Sequence, residues 1–414
     1  MTDERGVVRR IAWGEVFPWI LILRSFRLAL SPSLLALATL GAILTPIGWR
    51  LGASIFLEPQ ERTALGNTQL AFPPGLSPAA YVPAAMRQYL PDTPSGMTDA
   101  YFRLTEPMRR LFDWTLSLRQ TAFYLFGNLW SLLIWSFVGG VITRCAVVQL
   151  GCEESVDIIA AVRFVCRRYF WYLLAPLYPL GGVVLVMVPL AVLGLAMRGD
   201  VGVFIAGFAW VFVVGISLVA VWLLIGLVFG WPLMWPAVSA ERDGDPFEAF
   251  SRSFSYVYGK PLHLFFYFVV AALFGALAWA VVHLAIEMLI NFGFSATAWG
   301  TGRERMIEIQ QRLVNERSQG PVGLGANLIR LTTGVVRLVK DGFSFSYFFC
   351  AASALYLLLR QDVDQREIDE VFLDAEPPKA APSATVGSRV TVAPTTDFVP
   401  ADNSLSPPVD EDAK

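Results

Sequence analysis

The sequence predicts an all-α membrane protein, a polytopic bundle of about six transmembrane helices accompanied by interfacial amphipathic helices. Three observations predict this class: six long stretches without a charged residue, a hydrophobic content of 55%, and a charged content of only 16%. A hydrocarbon core about 30 Å thick needs roughly 20 apolar residues of helix. The six stretches are residues 28–49, 120–143, 169–197, 201–240, 261–286 and 342–359. Strands of a membrane β-barrel would instead alternate in polarity over about ten residues.

The N-terminal segment, residues 1–30, contains a predicted helix over 7–30. Apolar side chains alternate there with arginines such as Arg9 and Arg24, which is typical of a helix lying in the headgroup plane. Pro18 should break or kink it. The same pattern fits a helix that packs on the bundle, and both interpretations stay open.

The bundle itself is predicted over 31–360, including two external segments, 52–119 and 291–341. The first is rich in proline and ends in a helix predicted to run from Pro107 through Leu118 into the second span. The second combines a charged surface helix over 303–317 with an amphipathic helix before the last span. These pieces contain no pattern that indicates a catalytic domain.

Two segments follow the last span. Residues 361–376 are predicted to form a cytoplasmic juxtamembrane segment. Residues 377–414 are rich in Pro, Ala, Thr and Ser and lack a periodic apolar pattern. Such a composition cannot bury enough apolar surface to fold, so we expect a disordered cytoplasmic tail.

Lys and Arg in the short loops predict the orientation, because cytoplasmic loops carry an excess of them. The loops after the second and fourth spans are basic, whereas the hairpin between the third and fourth spans offers only Arg198. The basic loop residues are Arg144, Arg163, Arg167, Arg168, Arg242, Arg252 and Lys260. We therefore expect a multi-pass protein of the plasma (cytoplasmic) membrane with both termini in the cytoplasm.

A shift of about 89 residues aligns the second and third spans with the fourth and fifth. Arg163 then falls on Arg252, within two short amphipathic segments that begin near Asp157 and Asp245. Duplication and chance remain equal explanations. The functional hypothesis is that Arg163 and Arg252 bind lipid phosphates or each other's loop. The alternative is that both are ordinary cytoplasmic arginines that reach the membrane interface.

The run 241–254, ERDGDPFEAFSRSF, places acidic residues, Ala249 and Arg252 before an aromatic-rich span. This run resembles a large group of bacterial six-span membrane proteins of unknown function. That group is similar to the membrane domain attached to some glycerophosphodiester phosphodiesterases. The likeness covers roughly residues 120–290, and the soluble phosphodiesterase barrel is absent. The resemblance implies a fold and a location, and no activity.

His283 and Glu287 lie four residues apart near the end of the fifth span, on one helix face with Trp279. Ionisable residues inside a membrane are candidate functional residues, and such a pair could relay protons or bind a polar substrate. The alternative is an interfacial hydrogen bond between His283 and Glu287, with Trp279 in the aromatic belt.

The remaining patterns argue against an enzyme. The sequence contains no G-x-S-x-G, H-E-x-x-H or P-loop motif, and its four cysteines form no C-x-x-C pair. We therefore predict no catalytic residue, no cofactor and no metal. A net charge of -2 without a basic tract also argues against a nucleic-acid partner.

Three functional classes remain, of which an intramembrane enzyme is the least favoured. The preferred prediction is a non-catalytic protein that organises the membrane or assembles there, with lipids, a second copy or another membrane protein as partners. The alternative is a transporter or lipid-handling protein for a small or amphiphilic substrate, which the repeat and the Gly- and Pro-rich third span would suit.

Overall fold

The structure, a computed structural model, describes residues 17–65, 97–314 and 321–373. All regular structure in these residues is helical, which confirms the all-α class. The helices are α1 Ile20–Ala29, α2 Pro32–Phe56, α3 Pro59–Leu65, α4 Met97–Arg110, α5 Leu118–Gly151, α6 Ile158–Ala196, α7 Asp200–Ala240, α8 Pro246–Gly259, α9 Pro261–Thr301, α10 Arg303–Val314 and α11 Pro321–Asp364. Six of them, α2, α5, α6, α7, α9 and α11, are long and apolar enough to cross a membrane.

Helix α11 forms the centre of the bundle through its second half. Every residue of 342–360 is buried, and this half packs against α1, α2, α5, α7 and α9. The Phe345 ring stacks on Trp135 with centroids 4.2 Å apart, and the Tyr347 hydroxyl donates to Ala271 O at 3.0 Å. Aromatic side chains therefore fill the core around one helix.

Helices α2 and α5 interlock through two tryptophans and two glycines. The Trp49 ring lies against Gly127, and the Trp130 ring lies against Gly48. Each indole N–H also donates a hydrogen bond across the interface at 3.0 Å. Since glycine has no side chain, the two backbones approach closely enough for each ring to fill the gap.

Side-chain caps decide where several helices begin. Ser117 and Gln120 form a capping box that starts α5. The helix predicted from Pro107 into the second span is therefore two elements, because α4 ends at Arg110. Asp157 caps α6 and Asp245 caps α8, in agreement with the predicted amphipathic segments.

Three segments lie at one end of the bundle, which we call the near end (residues 152–157, 241–245 and 365–373), and the Arg24 side chain of α1 reaches it. Arg24 pairs with Glu153 at 2.6 Å, and Phe372 N–H donates to Ala240 O at 2.9 Å. One face of α1 is buried against the bundle, which favours the packing interpretation for its described part. Residues 1–16 and the predicted tail at 377–414 lie outside the described residues.

Candidate functional sites at the two ends of the bundle

The near end contains a buried carboxylate among three arginines. Glu241, 7% exposed at the end of α7, accepts a hydrogen bond from the Tyr356 hydroxyl at 3.0 Å and one from Arg366 Nη1 at 3.1 Å. Arg360 Nε lies 3.2 Å and Arg252 Nη1 lies 3.6 Å from its Oε1 atom. We call these five residues the Glu241 network. It connects α7, α8 and α11 with the residues after α11.

Arg252 extends the network to the surface of α8. Its guanidinium pairs with Glu248 at 2.7 Å and with Asp364 at 3.1 Å. Burial alone would lower the pKa of Arg252, but the hydrogen bond to Glu248 and the charge of Glu241 raise it overall. Burial also raises the pKa of Tyr256, so its hydroxyl stays protonated and donates to Asp364 at 2.6 Å.

Arg144 and Arg168 cap the C-terminal end of α7. Arg144 Nη1 donates to Ser239 O at 2.7 Å and to Phe372 O at 2.8 Å, while Arg168 Nη1 donates to Glu241 O at 3.0 Å. Cations there satisfy carbonyls that have no partner within the helix. The sequence had placed Arg144 in a cytoplasmic loop, but α5 continues past it and leaves it only 4% exposed.

Residues 365–373, which we call the C-terminal strap, close the near end. Besides the Phe372 bond to Ala240, the Cys152 thiol donates to Asp369 O at 3.4 Å. Val371 is buried against the bundle, as 8% of its surface is exposed. The polar groups of the near end therefore hold helices and strap together, which is a structural role.

The structure does not bring Arg163 and Arg252 together. Arg163 is exposed on α6, whereas Arg252 belongs to the Glu241 network. Both lie in segments that begin with an aspartate cap, but their surroundings differ. Phosphate binding by Arg163 stays a prediction.

The other two candidate residues lie on α9, facing α11. The His283 ring stacks on Trp279 with centroids 4.9 Å apart and an interplanar angle of 10°. Glu287 accepts from Arg337 at 3.2 and 3.4 Å instead of bonding His283, so the expected hydrogen bond between His283 and Glu287 is not formed. Lys340 Nζ lies 5.6 Å from the Trp279 ring centroid. We call these five residues the Trp279 cluster.

Helix α4 contributes a buried carboxylate that the sequence did not single out. Asp99 is 1% exposed and pairs with Arg103 at 3.0 Å, and Arg103 also lies 3.6 Å from Asp341. Burial raises the pKa of Asp99, and the positive charge of Arg103 opposes that shift. The Tyr101 hydroxyl donates to Val228 O at 2.8 Å, which fixes α4 to α7. The four-residue spacing of Asp99 and Arg103 was the available signal.

The described residues include no candidate metal site and no disulfide. No group of three or more His, Cys, Asp or Glu side chains there could hold a metal ion. The four cysteines are free: Cys145 and Cys350 are buried, Cys152 is half-buried, and Cys166 is exposed on α6.

No protein-family model, no curated protein and no solved structure matches this chain. The resemblance of residues 241–254 to bacterial six-span membrane proteins therefore stays a prediction. The conclusion that this is a multi-pass integral membrane protein rests on the six long apolar helices of the chain itself.

Proposed function

We propose that this chain is a non-catalytic membrane protein that assembles laterally within the bilayer, with a second copy of itself bound along the α6–α7 hairpin. One observation carries the proposal. In the most apolar stretches of α6 and α7, only 11% of residues are buried, compared with 72% in α5 and 100% in α11. The two helices thus present an outward apolar surface that the other described residues leave uncovered.

The length of the hairpin supports a protein partner in addition to lipid. Helices α6 and α7 have 39 and 41 residues, or about 60 Å each at 1.5 Å per residue. The hydrocarbon core is about 30 Å thick, and an average tilt of about 20° shortens such helices by only a few ångströms. The bundle covers residues 230–240 of α7, and α8 packs on Trp222 and Gly226. The described residues leave most of the remaining apolar length of the hairpin uncovered.

The near end supports a non-catalytic role and an orientation. Its buried charges are engaged with other helices and with helix-end carbonyls, as expected for a rigid scaffold. Arg24, Arg163 and Arg242 are exposed at this end. Because Lys and Arg of short loops concentrate on the cytoplasmic side of membrane proteins, and the basic short loops lie at this end, we propose that the near end faces the cytoplasm.

Cysteine crosslinking in native membranes tests the lateral assembly. A side chain at Gly207 or Gly215 would meet no atom within 4 Å, so a cysteine fits there without disturbing the fold. In a Cys166→Ser background, we expect Gly207→Cys and Gly215→Cys to give a disulfide-linked dimer on mild oxidation. The matched control is Gly293→Cys on α9, which is equally open and should stay monomeric.

Two results would contradict the proposed interface. Equal dimer yields at Gly293 and at the two hairpin positions would indicate random collision. Adducts of another mass at the hairpin would identify a different membrane protein as the partner.

A transporter or lipid-handling protein is the second candidate, and buried Asp99 favours it. Ionisable groups inside a helix bundle often lie on ion or substrate pathways. Vesicles containing the protein and a pH-sensitive dye would report a proton flux. A flux that the native chain carries and Asp99→Asn abolishes would favour this candidate, with half-buried Asp113→Asn as the control.

A further inference from the structure

We infer that the Trp279 cluster binds a phospholipid through the phosphate of its headgroup, with Lys340 and Arg337 as the contacting cations. This binding site is independent of the proposed lateral assembly.

The cluster contains donors without acceptors. Within the part of the chain that the structure describes, Lys340 Nζ has no hydrogen bond or ion pair, and its contact is the Trp279 ring. Trp279, 2% exposed, has a buried indole N–H without a partner, and the Nδ1 atom of His283 is also unpartnered. Buried polar groups are normally hydrogen-bonded, so the unpaired indole N–H of Trp279 and the unpaired nitrogen of His283, beside the Lys340 cation, indicate a missing polar ligand.

The charges nearby leave Lys340 as the available cation. Arg103 lies within ion-pair distance of both Asp99 and Asp341, and Arg337 pairs with Glu287. Each nearby carboxylate thus already has a guanidinium, and Arg337 uses only its Nε and Nη2 groups. A phosphate could accept from Lys340 and from Arg337 Nη1 without displacing any of these pairs.

The position of the cluster selects a lipid as the source of the phosphate. The uncharged stretch of α9 ends just before Glu287, and that of α11 begins just after Asp341. Glu287 is the one charged residue of α9 between 261 and 302, and it lies with Arg337 and Lys340 of α11. Such a group of charges fits the level of the headgroups, where tryptophan and basic residues concentrate. Leu284 and Met288 are 56% and 62% exposed beside it and could contact acyl chains.

The geometry gives each residue a separate role. Lys340 and Arg337 contact the phosphate, and Trp279 holds the Lys340 ammonium by a cation–π contact. His283 is half-buried against Trp279, and its Nδ1 atom has no partner among the described residues. Glu287 fixes Arg337, so it is a positioning residue.

Native mass spectrometry of the delipidated full-length chain, titrated with phosphatidylglycerol, tests the inference. We expect one retained lipid for the native protein and for Lys340→Arg, and about tenfold weaker retention for Lys340→Gln, because a charge-assisted hydrogen bond is lost. The control is Arg198→Gln, which removes an exposed cation at the α6–α7 turn and should leave retention unchanged. Melting temperatures of all variants check that they fold.

Three outcomes would overturn the inference. Equal retention by Lys340→Gln and Arg198→Gln would show that Lys340 is not the contact. Equal retention of diacylglycerol, which has no phosphate, would show that acyl chains alone bind. Displacement of the lipid by millimolar inorganic phosphate would show that the site takes free phosphate instead of a headgroup.

Discussion

Glu241→Ala is expected to lower the free energy of unfolding by about 3–5 kcal/mol, the usual cost of removing one partner of a buried ion pair. The carboxylate lies 3.2 Å from Arg360, whose side chain is 2% exposed. Without Glu241, that guanidinium remains buried next to Arg252 and Arg366 with no compensating charge. An SDS titration in mixed micelles, followed by tryptophan fluorescence, measures the loss.

Glu248→Ala is the matched control for this effect. Glu248 also pairs with Arg252, but 32% of its side chain is exposed and the pair lies four residues apart on α8. Solvent-exposed pairs of this kind contribute less than about 1 kcal/mol. If Glu241→Ala and Glu248→Ala lowered the free energy of unfolding equally, burial of Glu241 would not explain the loss of stability.

Gly48→Ala and Gly127→Ala are each expected to lower the free energy of unfolding by about 1–3 kcal/mol, the typical cost of overpacking. A methyl group at Gly48 would overlap the Trp130 ring, and one at Gly127 would overlap the Trp49 ring. Helices α2 and α5 would have to separate to accommodate either change. The same SDS titration measures the result.

Gly215→Ala adds the same methyl group at a position where we expect no loss of stability. Its added methyl group meets no atom within 4 Å, and alanine favours a helix over glycine by about 0.8–1.0 kcal/mol. The variant should therefore be as stable as the native chain or slightly more stable. A loss at Gly215 equal to that at Gly48 would mean that overlap with the Trp130 ring is not what destabilises Gly48→Ala.

Local sequence patterns were sufficient for the helical class and for the helix starts. The six uncharged stretches correspond to six long helices, since an uninterrupted apolar run needs only local hydrogen bonds to form a helix. Asp157 and Asp245 cap the two helices predicted to begin near them. The break between Arg110 and Leu118 was missed, although Ser117 and Gln120 carry a capping-box signature.

The sequence did not predict which charged residues would be buried. Arg144 and Arg360 look like ordinary residues at the cytoplasmic ends of spans, yet they are only 4% and 2% exposed. The signal available for Glu241 was its position directly after a long uncharged stretch, and it was not recognised. His283 and Glu287 share a helix face as expected, but Glu287 pairs with Arg337, fifty residues further along the chain.

The sequence by itself determined that this chain is a helical membrane protein and where most of its helices lie, because apolar runs, caps and prolines act within a few residues. Only the tertiary structure decided which charges meet. Glu241 and Arg366 are 125 residues apart in the chain, and their 3.1 Å contact depends on how α7 and α11 pack. Ion pairs between distant helices leave no local pattern, since any exposed arginine could have been the partner.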